Sequence, residues 1–84
     1  SNTINVNSES VVAETYLKSL ENYLKEEIEK LNYKVKYIEL ITNLGFTDIV
    51  QIKIGMELDI YDEEEIKNVI LKEIDIDKES IIIE

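Results

Sequence analysis

Ala13, Leu17, Leu20, Leu24, Ile28 and Leu31 recur at intervals of four, three, four, four and three residues, the repeat of one apolar face of an α-helix. Ser8 and Ser10 stand ahead of this stripe as candidate starts. Residues 1–8, SNTINVNS, are polar and aperiodic and read as a flexible tail or linker. On the other faces Glu14 precedes Lys18, Glu21 precedes Lys25 and Glu26 precedes Lys30 by four residues, the favourable order for helix ion pairs. Asn32 closes the stripe and tolerates the left-handed conformation that ends helices.

The period then falls to two. Residues 33–42 predict a strand whose apolar phase shifts between Val35 and the pair Ile38 and Leu40, so a bulge is expected near Lys36 and Tyr37. Residues 49–60 predict a longer strand, because Val50, Ile52, Ile54, Met56 and Leu58 alternate with polar residues or glycine. Residues 43–48 supply the hairpin turn, with Gly45 expected at positive φ. Asp62 and Glu65 have the spacing of an acidic capping box, and Glu63 and Glu64 add negative charge at a helix start. The helix that follows carries Ile66, Val69, Ile70 and Ile74 on one face. A polar turn over 75–80, plugged by Ile76, leads into a last strand at Ile81, Ile82 and Ile83. The order α-β-β-α-β predicts an α+β two-layer sandwich, with two helices packed on one face of a three-stranded sheet and residues 9–84 as a single domain. The pattern leaves open which strand the third one joins.

Composition narrows the chemistry. The 84 residues carry nine Lys, no Arg, nineteen acids, no His and no Cys, for a net charge of −10. Without His no side chain has an unperturbed pKa near neutrality, and without Cys there is no thiolate. Their joint absence also removes the usual zinc and iron ligands, so neither an enzyme nor a cofactor is expected. Polyanions are repelled by such a chain, which disfavours nucleic acid and an anionic membrane surface as partners. Fifteen Ile favour sheet over disorder. No apolar run is long enough to span a bilayer. Ser1 and Asn2 read as a cleavage scar, so upstream segments, membrane anchors among them, are expected beyond this chain.

Each remaining candidate has a plain alternative. Asp75, Asp77 and Glu79 alternate as in a calcium loop, but Ser80 stands where such a loop needs Gly, so a solvated turn is the better reading. The acids at 62–65 read as helix capping before a metal or cationic-partner patch. Ser19 beside Lys18 lacks the geometry of a nucleophile pair, since adjacent helix positions diverge. Tyr16, Tyr23, Tyr33, Tyr37 and Tyr61 fit packing or an interface. Leu44 and Phe46 flank Gly45 at the hairpin tip, where they either fold back or meet another molecule. A KH-type nucleic-acid module would need a GxxG loop and a basic groove, and neither is present.

The string LENYLKEEIEKLNYKVKYIEL, with EEEIKNVILKEIDIDKESIIIE at the end, resembles the ring-building motif of sporulation and secretion-ring proteins. Within that group it is similar to the soluble C-terminal domain of the stage III sporulation protein AF family, with Asn32 in place of the Gly usual before Tyr33. The resemblance covers residues 10–84. It implies a structural domain of a channel or feeding-tube complex, anchored in the outer forespore membrane and projecting into the space between mother cell and forespore. The implied partners are other subunits of that complex and further copies of the same chain. Its alternative is a soluble regulatory domain that binds one unlike protein through a sheet edge or the Leu44 and Phe46 tip. Ring packing is head-to-tail, so the two sides of the domain must differ. Charge is indeed lopsided: residues 62–84 hold nine acids and three Lys, or −6, whereas residues 33–42 hold Lys34, Lys36 and Glu39, or +1. Glu63, Glu64 and Glu65 are therefore candidates to meet a Lys-bearing surface such as that around Lys34 and Lys36.

Overall fold

The computed structural model describes the backbone of residues 2–84 and the side chains of residues 14–84. Its elements run α1 (Asn2–Glu29), β1 (Val35–Thr42), β2 (Ile49–Met56), α2 (Glu63–Glu73), a 3-10 turn at Lys78–Ser80, and β3 (Ile81–Ile83). This is the expected α+β order. Strand order is β1-β2-β3, with β1 antiparallel and β3 parallel to the central β2. The third strand, which the pattern left unplaced, thus joins the second.

Helix α1 begins at Asn2, inside the stretch read as a tail, and Ser8 and Ser10 lie within it. No Pro or Gly occurs before Gly45 to break a helix there. At the other end Asn32 takes φ 69°, while the amides of Lys30, Leu31 and Asn32 bond back to Glu26, Ile28 and Glu29. Asn32 ends the helix as its chemistry predicts.

The core lies between the helices and one sheet face. Leu24 and Ile28 of α1, Val35, Ile38 and Leu40 of β1, Ile52, Ile54 and Met56 of β2, Ile66 and Ile70 of α2, Ile74 and Ile81 are all buried. Each fully buried aliphatic side chain of this size contributes about 1.5–3 kcal/mol relative to exposure. Pairing steps from Val35 opposite Met56 to Tyr37 opposite Gly55, so Lys36 is the extra residue. That bulge turns Val35 and Ile38 to the same face, as the phase shift requires.

Two further expectations, on the end of β2 and on the hairpin, are corrected. Strand β2 ends at Met56, and Leu58 and Ile60 are 72% and 89% exposed in the loop that follows. The alternation persists there, but the ladder stops: β1 begins opposite Met56, and the last bond to it runs from Glu57 N–H to Lys34 C=O. At the hairpin it is Phe46, not Gly45, that takes positive φ, at 57°. Asn43 holds this shape, because its Oδ1 accepts from the amides of Thr47 and Asp48 at 3.0 and 3.2 Å and its carbonyl accepts from Phe46 N–H. Asn43→Ala is expected to cost about 1–2 kcal/mol in chemical denaturation, since two loop amides lose their acceptor. A variant as stable as the parent would show that the loop geometry does not depend on them.

Candidate functional site

The strands separate the candidate residues into two ends about 25 Å apart. One end gathers the start of β1, the loop after β2 and the start of α2. Tyr33 joins them: Asp62 N–H donates to its hydroxyl at 2.9 Å, the hydroxyl donates to Glu65 Oε1 at 3.1 Å, and Glu65 N–H donates to Asp62 Oδ1 at 3.2 Å. A capping box normally closes directly from the third residue's side chain to the cap amide. Here a tyrosine hydroxyl sits in that gap and ties the box to the α1–β1 junction. Tyr33→Phe is expected to lower stability by about 1 kcal/mol, read as a lower urea midpoint. No change in the midpoint would mean that water replaces the hydroxyl at no cost.

Lys34 and the acids Glu63, Glu64 and Glu65 therefore share one end of the molecule. The acids already have partners, with Glu63 within 3.4 Å of Lys67, Glu64 within 2.9 Å of Lys78, and Glu65 on Tyr33. Lys34 and Lys36 are exposed and form no ion pair among the described residues. The opposite end holds the tip, where Leu44 is fully exposed and Phe46 about half so. Phe46 leans toward a shallow hollow that it lines with Tyr16, Leu17, Ile49 and Ile74. Leu44 has no such cover. The exposed pair Leu58 and Ile60 was missed in sequence, because their alternation with charged residues matches that of a half-buried strand.

The tyrosines divide by their hydroxyls. Tyr23 donates from α1 to Glu73 at the end of α2, at 3.0 Å. Tyr37 lies across Gly55 and donates to Glu84, bracing β1 to the chain beyond β3 across the outer sheet face. The hydrogen bonds to Glu73 and Glu84 favour the neutral phenols and raise both pKa values above the usual 10.0. Because the folded values are raised, this contribution is present below pH 10 and is lost as pH rises through the folded pKa. An ultraviolet phenolate titration should show tyrosines ionising above the usual value. Tyr23→Phe and Tyr37→Phe should each remove one of them, and a titration in which neither does would contradict the pairing.

The two sheet edges differ. On the β1 edge, helix α1 supplies carboxylates to amides that face away from β2: Leu40 N–H donates to Glu21 and Val35 N–H to Glu29, each at 3.2 Å. Glu21 is thus used on the strand and not on Lys25, and Lys30 pairs with Glu27 in place of Glu26. Charged side chains on outward amides obstruct the addition of another strand. No comparable cover reaches the β3 edge among the described residues.

Among the described residues no acidic group has metal-holding geometry, and no helix is long and apolar enough to cross a membrane. The fold defines a small α+β protein with a mixed three-stranded sheet under two helices. Comparison with protein-family models, with curated proteins and with solved structures finds no match for this chain.

Proposed function

We propose that this chain is a non-catalytic structural and assembly domain, of the kind its resemblance to the ring-building motif implies, in a membrane-anchored sporulation channel between mother cell and forespore. In this reading the anchoring segments lie outside the chain, in the outer forespore membrane, and the domain occupies the intermembrane space. Its contacts are with other channel subunits and with copies of itself. The observation that supports the reading best is the exposure of large apolar residues at two unlike ends: Leu44 and Phe46 at the tip, Leu58 and Ile60 before α2. Head-to-tail packing needs two different surfaces on each copy, and solvent-facing Leu and Ile in such numbers favour protein contact.

The test is substitution at both ends. Leu44→Glu at the tip, or Leu58→Glu with Ile60→Glu at the loop, should abolish assembly of the full-length complex. The folded domain should keep its stability to within about 0.5 kcal/mol, because these side chains bury little. Normal assembly by both variants would overturn the reading. Charge reversal of Glu63, Glu64 and Glu65 together is likewise expected to weaken assembly. Assembly untouched by that reversal would remove the acidic helix start from the contact.

A second reading, a regulatory domain that binds one unlike protein, is favoured by the unequal edges. An edge closed by Glu21 and Glu29 disfavours endless edge-to-edge pairing of identical copies and leaves the other edge for a different chain.

A further inference from the structure

We infer that the outer edge of β3 receives an extended, lysine- or arginine-bearing segment of an unlike partner chain as a fourth strand. The inference deepens the protein-binding reading above and rests on it. In the parallel ladder, Glu84 N–H bonds to Ile54 C=O and Met56 N–H to Glu84 C=O, so Glu84, and Ile82 two residues before it, turn their backbone groups toward β2. Ile81 and Ile83 must therefore turn theirs outward. The Ile81 amide is taken by Lys78 C=O. The Ile83 amide and the carbonyls of Ile81 and Ile83 meet no partner among the described residues. These groups form the donor and acceptor row that an added strand needs.

Charge selects the occupant. A hollow at the start of β3 is lined by Asp48, Asp75 and Asp77 together with Ile49, Val50, Ile76 and Ser80. Glu79 is exposed in the 3-10 turn beside it. Lys78, the cation of that turn, is held by Glu64, and Lys53 stands one strand further in, on β2 opposite Ile82. A second copy paired through its own β3 about a two-fold axis would run antiparallel and set each acidic rim beside the other copy's Glu84, and the β1 edge of a copy is closed by Glu21 and Glu29. A basic strand satisfies the rim, while its alternate apolar side chains extend the Ile82 or the Ile83 face.

The experiment titrates the isotopically labelled chain with short synthetic peptides and follows amide resonances and hydrogen exchange. A peptide alternating Lys and Val should shift and protect the Ile83 amide, and bind about tenfold more tightly than one alternating Glu and Val. Ile83→Pro removes the outward amide without touching the bonds to β2, and should weaken the Lys peptide about tenfold. Should that variant misfold, Asp75→Lys with Asp77→Lys alters only exposed side chains and should reverse the peptide preference. Equal binding of both peptides, shifts centred on β1 or the tip, or a charge-reversed variant that still prefers Lys would overturn the inference. None of those outcomes touches the assembly reading, which the substitutions at Leu44, Leu58 and Ile60 test separately.

Discussion

Ile54→Ala is expected to lower the unfolding free energy by about 3–4 kcal/mol, the range for a fully buried aliphatic residue whose cavity cannot collapse. Ile54 is completely buried in the central strand, opposite Ile38 of β1 on one side and beside Ile83 of β3 on the other. Backbone pairing on both sides prevents the strand from closing the gap. A domain of this length has about 4–12 kcal/mol in total, so the variant should sit near the margin of folding. Urea denaturation measures it as a lower midpoint at unchanged slope. Ile82→Ala is the control, one step along the ladder on the half-exposed outer face, with an expected cost below about 1 kcal/mol. Equal losses for the two variants would mean that the helices do not cover the face assigned to them.

Gly55→Val is expected to destabilise by about 2–3 kcal/mol, although strand propensity alone predicts a gain of up to about 1 kcal/mol for Val over Gly. The reason lies on the outer face. A β-carbon at position 55 would overlap the Tyr37 ring, which lies directly across the glycine. The ring must then swing away, losing its seat on β2 and its bond to Glu84. Strand glycines covered by a cross-strand aromatic are a known device for closing a bare stretch of sheet. The argument has an internal check in the double variant. With Tyr37→Leu already present the clash is gone, and Gly55→Val should become neutral or stabilising; a cost that persists would place the strain in the backbone and not in the ring.

Much of this architecture was legible in the sequence because it depends on local rules. The helical stripe from Leu17 to Ile28, the capping pair Asp62 and Glu65, Asn32 as a helix end, and the bulge beside Lys36 each follow from spacing within a few residues, whereas Leu31 falls in the turn after α1. What was not legible depends on partners distant in the chain. Leu58 alternates correctly for a strand, yet it is exposed because β1 starts opposite Met56 and no strand continues beside it. Gly45 was the natural residue for positive φ, but the bonds of Asn43 to Thr47 and Asp48 place the left-handed residue at Phe46. Glu21 fits a helix ion pair by spacing, whereas an edge amide in want of an acceptor takes it. The same distinction applies to the candidate surfaces. The hairpin tip left folding back and exposure both open for Leu44 and Phe46, and only the folded chain exposes Leu44 and puts Lys34 at the same end as the acidic start of α2, through Tyr33. The parallel pairing of β3, and with it the open edge, also lay outside any local pattern.

The assembly reading is tested most directly by cross-linking the full-length protein in sporulating cells. The described chain has no cysteine, so single cysteines introduced at Leu44 and at Ile60 give positional control on both exposed ends. The account predicts a ladder of multiples of the same chain from copies bearing the two cysteines together. A single adduct with one unlike protein, and no multiples, would contradict it.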